Sequence, residues 1–64
     1  MLRVRMSDGV RELELKRVRV EGLLRLLCVN PEDVLVLREG RLLTEDVWLS
    51  DGDEVEIYEV VSRG

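Results

Sequence analysis

Apolar and charged residues alternate strictly from Leu2 to Met6, with Leu2, Val4 and Met6 on one face and Arg3 and Arg5 on the other. That period of two predicts a strand with one buried side. Ser7-Asp8-Gly9 supplies a turn, and Leu13 and Leu15 then oppose Glu12, Glu14 and Lys16, so the first fifteen or so residues predict a β-hairpin. Val10 breaks the parity, which predicts a bulge or register offset beside Gly9. From Val20 the period lengthens: Val20, Leu23, Leu24 and Leu27 form one apolar helical stripe. This helix has no Ser, Thr, Asp or Asn at its start, carries Gly22 inside it, and is expected to stop at Asn30-Pro31.

Beyond the helix, Val34 to Leu37 is apolar on both faces, as in a strand covered on two sides, one of the covers being open to a partner surface. Glu39-Gly40 reverses the chain into a short strand, Arg41-Leu42-Leu43. Thr44-Glu45-Asp46 predicts one capped helical turn leading to Val47-Trp48-Leu49, and Ser50-Asp51-Gly52-Asp53 a tight turn. The last strand sends Val55, Ile57 and Val61 one way and Glu54, Glu56, Tyr58 and Val60 the other. Strands one, two and last show Arg3 and Arg5, Glu12 and Glu14, and Glu54 and Glu56 on their outer faces. Opposite charges side by side stabilise a sheet and like charges destabilise it, so the arginine strand belongs between the two glutamate strands. The first and last strands are then parallel neighbours joined through a crossover that contains the helix.

Size and charge narrow the function classes. A chain of 64 residues with 45% hydrophobic content makes one domain, residues 1–64, with little core to spare for an enclosed active site. Fourteen acidic against ten basic residues give a net charge of −4, which argues against nucleic acid and membrane surfaces as partners. A single cysteine, Cys28, suggests a reduced, cytoplasmic setting, and at the helix end it reads as a small buried hydrophobe. Histidine is absent, as are phosphate-binding and hydrolase signatures, so neither a metal site nor a catalytic residue is expected and the chain does not read as an enzyme. Asp51-Gly52-Asp53 lacks the further ligands of a calcium loop and reads as a turn.

The sequence Val34-Leu35-Val36-Leu37-Arg38-Glu39-Gly40-Arg41, then Leu49-Ser50-Asp51-Gly52-Asp53-Glu54-Val55-Glu56-Ile57, then Val60-Val61-Ser62-Arg63-Gly64, resembles the sulfur-carrier branch of the small prokaryotic ubiquitin-like proteins. That branch comprises the thiamine-pathway sulfur carrier, the small subunit of molybdopterin synthase and the related archaeal modifiers. The resemblance implies an α+β fold of the β-grasp (ubiquitin-like) type, a β-β-α-β-β-β mixed sheet with one main helix packed on one face. It also implies that a ubiquitin-activating-type enzyme uses ATP to adenylate the Gly64 carboxylate, for sulfur transfer to an accepting synthase or attachment to target lysines. The carrier binds no cofactor itself. An α-carboxyl with a pKa of roughly 3.3–3.7 is ionised at neutral pH and can attack phosphorus. A flexible tail, residues 62–64, would enter the partner through Val61, Ser62 and Arg63. The family's paired terminal glycines are not matched, because Arg63 stands before Gly64.

Tyr58 and Val60 on the sheet, with Arg38 and Arg41 flanking the Glu39-Gly40 turn, are the candidate partner-binding face. Trp48 is expected half-buried under its own loop. The alternative function is a non-conjugating β-grasp adaptor that binds another protein through the Tyr58 and Val60 face. An RNA-binding module of the same fold is disfavoured by the acidic balance. Alone, the chain is expected to be a monomer.

Overall fold

A computed structural model describes residues 1–60. Seven strands, β1 (Leu2–Met6), β2 (Gly9–Leu13), β3 (Arg17–Arg19), β4 (Val34–Arg38), β5 (Arg41–Leu42), β6 (Trp48–Ser50) and β7 (Glu54–Glu59), surround one helix, α1 (Val20–Leu26). Five strands form a mixed sheet in the order β2-β1-β7-β4-β5, and β3 and β6 form a separate two-stranded sheet. The first and last strands are parallel neighbours, with Arg3 opposite Glu54 and Arg5 opposite Glu56, while Arg3 faces Glu12 across β1 and β2. Arginine therefore stands between two glutamate strands, as the charge pattern predicts. Arg3 reaches Glu12 at 3.4 Å and Arg5 reaches Glu54 at 3.4 Å, all at exposed positions, so each pair contributes at most about 1 kcal/mol.

The core is built from one face of this sheet. Leu2, Val4, Val34, Val36, Val55 and Ile57 point inward and meet Val20, Leu23 and Leu24 of α1, with Leu49 of β6 closing the end. Among the described residues no polar side chain is buried. This is the α+β, β-grasp arrangement, with α1 across one face of a mixed sheet.

Several local expectations are corrected. There is no bulge beside Gly9: the β1–β2 register is continuous and Val10 simply takes the outer face opposite Arg5, 51% exposed. The second strand ends at Leu13, where Leu15 N bonds back to Leu13 O at 3.0 Å and turns the chain toward β3. Neither β3 nor β6 was legible as a strand. Residues 44–47 form a turn, closed by Val47 N to Thr44 O at 3.3 Å, and not a helical turn. That turn explains how α1 begins without a side-chain cap: Val20 N donates to Val47 O at 3.0 Å and Glu21 N to Glu45 O at 3.1 Å. Backbone carbonyls from a distant loop thus take the role of the missing cap residue. Gly22 lets α1 approach β3 closely, since a Cβ there would sit 3.0 Å from Val18 Cγ2, tighter than an ordinary contact by a few tenths of an ångström.

The helix ends before Asn30-Pro31. Val29 N donates to Leu24 O at 2.9 Å and Cys28 N to Arg25 O at 3.1 Å, the two bonds of a Schellman motif, with Cys28 in the left-handed region at φ 59°. Cys28 is exposed, and not the buried hydrophobe expected from its place after an apolar stripe. Asn30 instead caps a separate 3₁₀ turn, Pro31–Asp33, by accepting from Glu32 N at 3.0 Å. Val34 to Leu37 is covered on one face only, and Leu35 is 44% exposed.

Because the left-handed region costs an L-residue about 1 kcal/mol or more that glycine avoids, Cys28→Gly is expected to stabilise the fold by about 1 kcal/mol in denaturant titration. Leu49→Ala removes a side chain that is 0% exposed and is expected to cost about 2–5 kcal/mol by the same measurement.

Candidate functional site

The outer face of the five-stranded sheet divides into an ionic half and an apolar half. On β1, β2 and β7 it carries Arg3, Arg5, Glu12, Glu54 and Glu56. Toward β4 and β5 the register places Leu35 opposite Tyr58 and Leu37 opposite Leu42. Val60, two residues beyond Tyr58, extends the β7–β4 pairing through a bond from its N–H to Asp33 O at 2.8 Å. Leu35, Leu42, Tyr58 and Val60 are 44%, 62%, 51% and 44% exposed, so this half is an uncovered apolar surface. Next to Tyr58, a groove of about 370 Å³ runs between β1 and β7 over Met6 and Ile57, rimmed by Arg5 and Glu56.

The Tyr58 hydroxyl donates to Glu56 Oε2 at 2.9 Å. Ionising the phenol would break that bond and place a second negative charge beside the carboxylate, and both effects raise the Tyr58 pKa above its ordinary value, with Arg5 partly opposing them. At neutral pH, Tyr58 therefore presents an anchored, neutral ring edge beside a carboxylate.

Arg38 and Arg41 do not join this surface. They sit directly opposite each other on β4 and β5, on the parity of Val36, whereas Leu35, Leu37 and Leu42 take the other parity. Arg38 is committed to the fold: its Nη1 lies 3.3 Å from Asp53 Oδ2 and 3.4 Å from Trp48 O. Asp53 Oδ2 also accepts from Ser50 N at 2.8 Å, and Asp53 O accepts from Arg3 N at 2.9 Å. The Ser50-Asp51-Gly52-Asp53 turn is thus a structural joint between β6, β7 and β1, in which Gly52 supplies φ 93°. Among the described residues no group of three or more His, Cys, Asp or Glu is arranged to hold a metal ion, and no helix is long and apolar enough to cross a membrane.

Leu35 and Leu42 were not singled out in the sequence. Their signal was present in the second apolar face of Val34 to Leu37, once that face is read as uncovered. Trp48 lies in β6, 44% exposed, with the guanidinium carbons of Arg17 and Arg19 at 4.2 and 4.8 Å from its ring centroid. It is covered by cations and not by its own loop. Val61, Ser62, Arg63 and Gly64 lie outside the described residues. No family model matches the chain, and no curated protein matches it either.

Since Tyr58 is the only tyrosine, an ultraviolet titration of the phenol reads it alone. Glu56→Gln removes the charge and weakens the acceptor, so the Tyr58 pKa is expected to fall toward the ordinary tyrosine value. The linkage sign follows from the raised pKa. The stabilisation is fully present below the unfolded-state tyrosine pKa and is lost as pH rises through the folded one, so Glu56→Gln, which removes the shift, is expected to shrink the loss of stability that accompanies Tyr58 ionisation in alkaline denaturant titrations.

Proposed function

We propose that this chain is a ubiquitin-like sulfur carrier or protein modifier, and that the reactive group is the Gly64 carboxylate. The observation that carries the reading is the placement of β7. This strand is held on both sides, by β1 and β4, in the middle of a β-grasp sheet, and the sequence runs from it directly into Val61-Ser62-Arg63-Gly64. An adenylating enzyme would grip the folded sheet and receive the residues that follow it. A carboxylate oxygen of Gly64 attacks the α-phosphorus of ATP, the bond to the β-phosphate bridging oxygen breaks, and pyrophosphate leaves. A sulfide-level sulfur nucleophile then attacks the acyl carbon of the adenylate and AMP leaves, giving a thiocarboxylate, or a lysine amine attacks it with loss of AMP and a proton, giving an amide. The carrier supplies shape and the carboxylate, and the enzyme supplies ATP and catalysis.

In this reading the apolar half of the outer face, Tyr58 and Val60 together with Leu35 and Leu42, docks on the enzyme, while Val61, Ser62 and Arg63 occupy its channel. Arg41 lies at the hairpin tip beside that face and Arg38 acts by holding the Asp53 joint. The setting proposed is cytoplasmic, with the carrier a monomer between encounters. A second reading is favoured by the same exposed apolar surface: an adaptor that binds a partner through Leu35 and Tyr58 without covalent chemistry.

Intact-mass spectrometry of the protein isolated from its host is expected to show an oxygen-to-sulfur exchange at the C-terminus, or conjugates on other proteins. Deleting Gly64 is expected to abolish both and leave the unfolding transition unchanged. Partner binding and cellular activity that survive the deletion would favour the adaptor and set the carrier reading aside.

A further inference from the structure

The two-stranded sheet has one closed edge and one open edge. Antiparallel pairs alternate between residues that exchange backbone hydrogen bonds and residues that exchange none. Asp51 N donates to Lys16 O at 3.0 Å, Val20 N donates to Val47 O at 3.0 Å, and Val18 lies opposite Leu49 between them. Residues 16, 18 and 20 therefore bond toward β6, and the N–H and C=O groups of Arg17 and Arg19 point away from it. Three of the four outward groups of β6 are engaged: Ser50 N donates to Asp53 Oδ2 at 2.8 Å, Asp53 N donates to Ser50 O at 3.0 Å, and Trp48 O accepts from Arg38 at 3.4 Å. As the residue that caps α1, Arg19 gives its C=O to the first helical bond, but among the described residues no turn, loop or side chain takes up the N–H and C=O of Arg17 or the N–H of Arg19.

The side chains along this open edge are also distinctive. Arg3, Arg5, Arg11 and Arg38 hold carboxylates at 3.4, 3.4, 3.9 and 3.3 Å. Among the described residues Arg17 and Arg19 form no ion pair, although Asp46 is close enough to feel the charge of Arg19. Both are exposed, on one face, over the ring of Trp48.

We propose that β3 is a docking edge for an extended acidic segment of a partner protein, which adds as a third strand and sets carboxylates at alternate positions against Arg17 and Arg19. Only another backbone can pair the free groups of both residues at once, and alternate side chains of an added strand carry the same two-residue spacing as the arginines. Charge selects the occupant. Two copies of β3 edge to edge would bring arginine against arginine, so the same residues that attract an acidic strand repel a second copy of this chain. Single-stranded RNA fits less well, because the guanidiniums already occupy the indole that a base would need and the chain carries a net charge of −4.

Trp48 is the only tryptophan, so its fluorescence reports this edge directly. The probes are a glutamate-valine alternating peptide, its glutamine-valine counterpart, and the glutamate peptide N-methylated at its glutamate amides. The expected result is a saturable change with the glutamate peptide and binding weaker by about tenfold or more for each of the other two. The double variant Arg17→Glu, Arg19→Glu, checked by its unfolding transition, is expected to lose that peptide and to bind a lysine-valine peptide instead. Equal binding of the N-methylated peptide would overturn the proposal by showing charge attraction without strand addition. So would equal binding of the glutamine peptide, tighter binding of an oligonucleotide of similar length, or self-association through β3.

Discussion

The side-chain parity of the central pair, β1 beside β7, is the constraint on which the remaining structure depends. On these two strands every inward residue from Leu2 to Ile57 is apolar and the outward residues of the paired stretch are charged. A slip of one residue in either strand would place arginine or glutamate against α1 and turn Val4 or Val55, both 0% exposed, toward water. In so small a core the loss would leave too little buried surface to hold the chain folded. The ionic ladder of Arg3 and Arg5 between glutamates adds little energy, but it disfavours a wrong neighbour, since placing β2 beside β7 would set glutamates side by side.

Around that pair the chain is closed by backbone groups that reach across long separations. The carbonyls of Glu45 and Val47 complete the first turn of α1, and the Asp53 joint gathers Ser50, Arg38 and Arg3 at one end of the sheet. These contacts replace the side-chain caps that a short helix of seven residues would otherwise need. They also explain why the two-stranded sheet exists: β3 and β6 are the segments that carry the helix entry and the joint toward each other, with Leu49 and Val18 packed beneath them.

Features governed by parity and local spacing were legible in the sequence. Leu2 to Met6, the stripe of α1 and the Glu39-Gly40 reversal are each written in a few adjacent residues, and the adjacency of the first and last strands follows from charges on three segments. What was not legible depends on distant partners. Arg17-Val18-Arg19 has one apolar residue and becomes a strand only because Trp48-Leu49-Ser50 lies beside it. Cys28 takes a glycine conformation for the sake of two bonds to Leu24 and Arg25. At the candidate surface, alternation places Tyr58 and Val60 correctly on the outer face, whereas Arg38 was misleading because its partner, Asp53, is fifteen residues away. Leu35 was hidden by an apolar run that looks the same whether one face is covered or two.

The strand that completes the centre of the sheet is the last of the seven in chain order. Until residue 59 has been made, β1 and β4 have no common neighbour, and the two halves of the sheet are separate hairpins with unpaired inner edges. Folding of this domain therefore waits on its last strand, and a nascent chain must keep two sticky edges apart until β7 arrives to join them.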